Sequence, residues 1–498
     1  MSFYAFGPDP TLAVAPPRAP WRGLPDLARP FAIVAAIAVW TLLVNLPTFA
    51  RQDADDAFFL EVAKLWTEGL PPYVAAYDVK GPAGFAFLAA AVALLGPTLS
   101  TLKVVAIVAS SVAGTALYRI AAPRDRAAAI VCVALYPIFM VVCGDVIYQT
   151  INATLLVAFA LAFGEPAGRG RAAAAGLAIG LACAIKQTCA IDALAVTYVL
   201  WARVGAKGDR LGVLAAFAAA TPIIPTGFLL YYVWLGAADV FIADVVVAAW
   251  RRGADVSLGA ALSSWAGTLF PASVVLIVAA AALTRPAEPG ERFARRAAAV
   301  WLGIEVVGLA AQRAGCGTYV TPLVAPALLM ATEAVSARFG AEGRGRRAVA
   351  LAVFGAVAVW AAMVGRGLAM LEKLPRVDDL SLRQIKTAVE ATGPRLDDRL
   401  LVVNGAVFAN IVTDLRPPTP VFHWAHILCD FPGAGLPALT ADLSAGPRYV
   451  VFENPDRRPA CQSAAYSDAI RGALATGYVL TAQGRTELSS WKLFERTP

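Results

Sequence analysis

Apolar residues fall in long blocks separated by short polar ones, and eleven of the blocks are candidates to cross roughly 30 Å of hydrocarbon. They run Phe31–Ala50, Leu99–Ala121, Ala127–Val142, Ile147–Phe163, Ala172–Ile185, Thr188–Ala202, Leu211–Leu235, Leu258–Thr284, Ala297–Ala311, Val320–Val335 and Val349–Leu371. A further block, Pro82–Gly96, would extend only about 22 Å as a helix and is expected to be a juxtamembrane or re-entrant piece. Between the first two blocks, Phe59, Ala63 and Trp66 recur at helical spacing beside Phe58, Val62 and Leu65, while Glu61, Lys64 and Glu68 share the other face. This pattern predicts an amphipathic helix lying in the interface, ended by Gly69, Pro71 and Pro72. From about Arg376 onward the pattern is that of a globular domain, with a helix-like stretch Ser381–Ala391 and β-rich runs Leu400–Asn404, Tyr449–Glu453, Tyr478–Ala482 and Trp491–Glu495.

The expected fold is therefore an all-α polytopic membrane protein, with about 11 transmembrane helices plus juxtamembrane helices and a small C-terminal α/β extracytoplasmic domain. Its expected parts are an N-terminal tail (1–28), a transmembrane domain (29–372) with a first external loop at 51–98, and the terminal α/β domain (373–498). Composition agrees, because 59% hydrophobic and 15% charged residues over 498 positions exclude an ordinary soluble domain. The net charge of +7 comes from short basic clusters between apolar runs, not from a continuous patch, so nucleic acid is not an expected partner. An uncleaved first span is expected in place of a signal peptide.

Charge also orients the chain. If Pro82–Gly96 does not cross, the loops on the side of the amino terminus carry 19 Lys and Arg and the opposite loops carry 8 before the tail. The positive-inside rule then places the N-terminus in the cytoplasm and the cluster Asp53-Ala54-Asp55-Asp56 outside. Asp145, Lys186, Gln187, Arg251, Arg252, Arg313 and Tyr319 emerge on that same outer face, which implies a catalytic pocket at the outer leaflet. Each has a plainer role as well. Asp53 and Asp56 can cap a helix, Asp145 can end a loop, Lys80, Lys186 and the arginines can reach toward headgroups, and Tyr319 can join an aromatic belt.

The string Asp55-Asp56-Ala57-Phe58-Phe59, then Glu68-Gly69 to Pro72-Tyr73, then Tyr77-Asp78-Val79-Lys80-Gly81-Pro82 resembles the first external loop of bacterial multi-span glycosyltransferases of the GT-C superfamily that use polyprenyl-phosphate sugars. These include aminoarabinose transferases of lipid A, rhizobial galacturonosyltransferases and, more distantly, protein mannosyltransferases. The usual pattern there is an Asp-Glu pair and a later Lys-Pro-Pro, so this chain departs with Asp56 and with Gly81. Gly180-Leu181 to Lys186-Gln187-Thr188 is similar to a Gly-rich span ending in Lys-Gln, and Tyr319 to Pro322 with Pro326 resembles a late Tyr-and-Pro span.

The resemblance implies an inverting transfer of one sugar from a polyprenyl-phosphate donor to a glycolipid, glycan or protein acceptor, such as lipid A, at the outer face of the bacterial inner membrane. Such chemistry needs a carboxylate to take the acceptor proton and cations to hold the departing phosphate. Asp55 is the candidate base, with Asp145 as second carboxylate and Asp56 beside it. Lys80, Lys186, Arg251, Arg252 and Arg313 are the candidates for the phosphate, and Tyr77, Gln187 and Tyr319 for other substrate contacts. Asp55 and Asp145 would be the ligands of a divalent ion if one is used.

The two histidines, His423 and His426, lie near Cys429 without a second paired motif, so a structural or acceptor-contacting role is preferred to zinc. Cys429 and Cys461 can pair in an oxidising compartment, and Cys316 can stay free. Outside the enzymes, a transporter or flippase of lipid-linked saccharides would share the many spans, but its ionisable groups should cluster near the midplane of related repeats. Here they gather at one face.

Overall fold

The computed structural model describes residues 28–48, 54–165, 167–204, 208–251, 257–285, 292–312, 317–340, 343–366, 380–403, 408–422, 432–453, 464–485 and 490–497. In chain order the helices are α1 (Ala28–Asn45), α2 (Ala54–Thr67), α3 (Pro82–Leu95), α4 (Leu99–Ala121), α5 (Arg126–Cys143), α6 (Val146–Phe163), α7 (Arg169–Ile185), α8 (Asp192–Arg203), α9 (Arg210–Ala220) and α10 (Ile223–Trp234). They continue as α11 (Ala238–Ile242), α12 (Ala249–Arg251), α13 (Leu258–Leu269), α14 (Ser273–Leu283), α15 (Arg292–Ala311), α16 (Thr321–Gly340) and α17 (Arg344–Arg366). Among the described residues, seven helices are long and apolar enough to cross a membrane, and the chain is a multi-pass membrane protein. The expected blocks at 172–185, 188–202 and 297–311 also form helices, but α7 is 17 residues long, α8 is only 12, and α15 carries Arg292, Arg295, Arg296 and Glu305.

The chain divides into two compact units, residues 1–46, 106–231 and 256–368 in the first and 47–105, 232–255 and 369–498 in the second. In the first, α16 packs against α5, α14, α15 and α17, and α7 packs between α6 and α9. Polar side chains tie the helices together. Asn152 donates to Thr321 Oγ1 at 3.0 Å, Ser110 donates to Gln149 at 3.0 Å, and Arg124 pairs with Glu333. In a bundle with no water to offer, such bonds fix which faces meet. Phe159 stacks on Trp301 with ring centroids 3.7 Å apart.

The α7–α9 contact depends on bare backbone. A Cβ at Gly176 would run into the carbonyl oxygen of Phe217, and one at Gly180 into that of Thr221. Small residues four apart let two helices approach this closely. The same close approach is what Gly180 contributes to the span that ends at Lys186.

The second unit holds α2, α3 and the C-terminal α/β part. Its sheet has the order β1-β2-β4-β3, with β1 (Leu400–Val403) parallel to β2 (Tyr449–Glu453), and β4 (Ser490–Arg496) antiparallel to both β2 and β3 (Tyr478–Arg485). All four predicted runs are strands. Alternation sends Leu401, Val403, Val450 and Phe452 to one core with Tyr466 and Ile470. Leu400, Val402, Tyr449 and Val451 go to a second core on the other face with Ile385, Val389 and Ala409. Burial on both faces explains why β1 reads as a continuous apolar run.

In purified, detergent-solubilised protein, Gly180→Ala should cost about 1–3 kcal/mol of stability through over-packing, whereas Gly227→Ala, where nothing lies within 4 Å, should be near neutral. Equal thermal midpoints for the two variants would refute the close-approach account.

Candidate functional site

The loop between the first two apolar blocks starts with α2, whose first turn contains Asp55 and Asp56. The helix begins at Ala54, three residues earlier than a cap at Asp56 would require, so Asp56 is not the cap but a first-turn carboxylate, buried at 7% exposure. Both acids sit where the helix dipole favours negative charge. Asp55 is half-buried. Asp53 lies outside the described residues.

Further along the loop Lys80 is held from several directions. Its Nζ lies 3.6 Å from Asp78 Oδ2 and 4.6 Å from the centroid of the Phe59 ring. Asp78 Oδ1 accepts from the N–H groups of Val79 at 2.6 Å and Lys80 at 3.0 Å, and the Tyr73 hydroxyl donates to the Lys80 carbonyl at 2.5 Å. Tyr73 itself adopts a left-handed conformation, φ 66°, uncommon for a bulky side chain. Its ring packs on Tyr232 and Phe241, with centroids at 5.3 and 5.5 Å. Burial holds the Tyr73 phenol well above its ordinary value, so it remains a donor. These contacts supply the rigidity that a proline at position 81 would otherwise give. Tyr77 gives its backbone N–H to the carbonyl of Pro420 at 2.8 Å.

The polar face of α2 differs from the sequence expectation. Glu61 is fully buried and Lys64 is 5% exposed, because the helix Phe408–Thr413 and the residues after it cover them. Lys64 Nζ lies 2.5 Å from Asp414, and Arg416 Nη2 lies 2.7 Å from Glu68. Neither carboxyl oxygen of Glu61 has a hydrogen-bond partner. Burial pushes its carboxyl up to about 7, opposed by Lys64 and Arg416 and reinforced by Glu68 and Asp414.

In the first unit, Lys186 caps the C-terminus of α7 and points its ammonium into an aromatic cage. It lies 3.9 Å from the Tyr319 ring centroid and 4.6 Å from that of Tyr148. It donates to the Tyr148 hydroxyl, and to Gln312 Oε1 at 2.9 Å. The cage edges a small pocket that Asp192 and Glu305 also line. Asp145 is the N-cap of α6, its Oδ1 accepting from Tyr148 N–H at 2.8 Å. The acid therefore fixes the backbone from which the caging tyrosine projects.

The structure thus unites Lys186 with Tyr319, and Lys80 with the start of α2 through Phe59. Arg251 is exposed on α12, while Arg252, Arg313, Cys316, His423, His426, Cys429 and Cys461 lie outside the described residues. Among the described residues no group of three or more His, Cys, Asp and Glu side chains is placed to hold a metal. Sequence reading missed Asp192, Glu305, Gln312, Tyr148 and Asp78. For the first two a signal existed, since each is an acid within a block taken as a span.

Glu61 makes stability depend on pH. Between 4.5 and about 7 the folded state keeps a proton that the unfolded chain has released, so stability should fall as pH rises through that window, by about 3 kcal/mol in all. Glu61→Gln should flatten the midpoint-against-pH curve between 5 and 8, as read by thermal unfolding. An unchanged curve would rule out Glu61 as its source.

No family model matches the chain, and no curated protein sequence does. Among solved structures, ArnT from Cupriavidus metallidurans bound to undecaprenyl phosphate superposes with a TM-score of 0.60 at 12% identity, covering 94% of this chain and 98% of that one. Its apo state gives the same score and coverage at 14% identity. The arabinofuranosyltransferase AftD from Mycobacteria gives 0.51 at 16% identity over 96% of this chain, which spans 40% of AftD. Matched over nearly its whole length, the chain shares the fold of ArnT.

Proposed function

We propose that the protein is an inverting glycosyltransferase that moves one sugar from a polyprenyl-phosphate donor to a cell-envelope acceptor at the outer face of the inner membrane. The observation that carries this is the end-to-end fold likeness to ArnT, a protein solved with undecaprenyl phosphate. The site chemistry supports it. Asp55, in the first turn of α2, is the base that takes the acceptor hydroxyl proton as oxygen attacks the anomeric carbon. Attack from the face opposite the phosphate inverts that carbon, and the leaving oxygen departs on the lipid phosphate. Lys80, on the same loop, offers a cation for that phosphate, and Asp78 and Phe59 hold it ready. The acceptor is a glycolipid, another surface glycan or a protein hydroxyl.

Three measurements test this. Asp55→Asn should lower transfer about 10²–10⁴-fold, the usual worth of a general base, while undecaprenyl-phosphate binding by native mass spectrometry persists. Wild-type turnover in that variant would remove Asp55 from the role. Cells lacking the protein should lose one glycosyl increment from a surface glycolipid, glycan or glycoprotein, read by mass spectrometry. For orientation, Thr188→Cys, an exposed position next to Gln187, should react with a membrane-impermeant maleimide added outside, and Arg346→Cys should not. The reverse labelling would invert the topology.

A further inference from the structure

One corner of the first unit gathers charge that the proposed reaction does not use. Asp125 caps α5, its Oδ1 accepting from the N–H groups of Ala127 at 2.9 Å and Ala128 at 3.2 Å. Arg347 on α17 and the hydroxyl of Ser336 on α16 donate to the same carboxylate. Three helix ends are thereby tied into one knot, and both oxygens of Asp125 are engaged inside it. Glu333, one turn before Ser336, pairs with Arg124. The knot also fixes where four more arginines stand, because Arg126 follows Asp125, Arg346 precedes Arg347, Arg344 opens α17, and Arg338 lies two residues past Ser336. All four are exposed. Over residues 124–126 and 333–347, six arginines stand against Asp125, Glu333 and Glu342, a net charge of +3. Like charges crowded at the edge of a bundle repel one another unless an anion sits among them.

What lies next to the rim indicates which anion that is. Ile130, one turn along α5 from Arg126, is 62% exposed. On α17, Val349 and Val353 follow Arg346 on one helical face, 63% and 57% exposed, and Val357, Trp360 and Val364 continue that face. Since α5 and α17 pack together, a basic rim stands at the foot of two apolar helix faces. A phosphate that carries hydrocarbon chains matches both halves. A soluble anion would use only the rim, and an acidic protein would leave the apolar faces bare. We infer that this corner binds an anionic phospholipid, its phosphodiester held by Arg126, Arg344 and Arg346 with Arg338 beside them, and its acyl chains laid along Ile130 and the Val349 to Val353 face of α17. Selectivity follows from the same charges. A zwitterionic head group brings its own ammonium, which the rim repels, whereas a glycerol head group brings none. The site is independent of the proposed sugar transfer.

Full-length protein in an uncharged detergent would be titrated with dioleoyl phosphatidylglycerol, dioleoyl phosphatidylcholine and the chain-free head group glycerophosphoglycerol, and the adducts followed by native mass spectrometry. Phosphatidylglycerol should bind about tenfold or more tightly than phosphatidylcholine, and the chain-free head group should leave no adduct at the same concentration. Each arginine near a lipid surface is worth about fivefold, so replacing three together, Arg126→Gln, Arg344→Gln and Arg346→Gln, should weaken phosphatidylglycerol about tenfold or more. A second triple variant, Arg169→Gln, Arg292→Gln and Arg296→Gln, removes the same charge from exposed positions elsewhere on the first unit and should change binding by less than about threefold. Equal losses in the two triple variants would make the attraction a property of the whole basic end and overturn the site. So would equal binding of the two lipids by the wild type. Head-group binding as tight as that of the lipid would reduce the corner to a soluble-phosphate site and overturn the lipid assignment. The lipid comparison uses the wild type alone, so it decides even if a triple variant fails to fold.

Discussion

A charge carried into a helical bundle is the constraint around which the rest is organised. Removing an ammonium from water costs several kcal/mol unless protein groups replace the lost hydration. Lys186 gets that replacement from two tyrosine faces, a phenolic oxygen and the Gln312 amide oxygen. Each partner is then fixed by something else. The Tyr148 backbone is pinned by the Asp145 cap, Gln312 gives its amide N–H to the Gly308 carbonyl at 3.1 Å, and Lys186 ends a helix seated through Gly176 and Gly180. The cage is thus a consequence of helix ends meeting, and a pocket with an aromatic wall comes with it.

The same constraint works differently in the loop that holds Lys80. Lys80 sits over Phe59 with Asp78 at 3.6 Å, a looser pairing than a direct ion pair. Asp78 spends its other oxygen on the backbone N–H groups of residues 79 and 80, so its first task is to shape the turn. The turn and the Phe59 ring together place the cation.

What was legible in the chain followed from periodicity. Short β-rich runs at 449–453 and 491–495 became strands, and apolar blocks of the right length became helices, because the residues that favour each element lie side by side in the chain. The candidate acids and lysines were legible as charges at block edges. What escaped needed contacts between distant positions. Glu61, Lys64 and Glu68 share a polar stripe that matches an interfacial helix, and nothing local announces that Arg416, 348 positions from Glu68, will cover it. Asp192 and Glu305 escaped for another reason. Each is one acid in an apolar run, and averaging over the run hides the residue that is most expensive to bury.

That covering of α2 bears on how the C-terminal α/β part can serve a site it does not itself contain. The helix that begins with Asp55 and Asp56 has Phe58 against Phe422, with ring centroids 5.2 Å apart, and its two charged partners at Asp414 and Arg416. Asp414 holds a left-handed φ of 58° to reach Lys64, a conformation that Asp tolerates better than most residues. An isolated helix of 14 residues would be marginal in water. Here its apolar face has α3 and its polar face has the segment that follows Phe408–Thr413, so the position of its first turn is set from both sides. The C-terminal part therefore acts on Asp55 through α2, by fixing where the acid stands, without contributing an atom to the chemistry proposed for it.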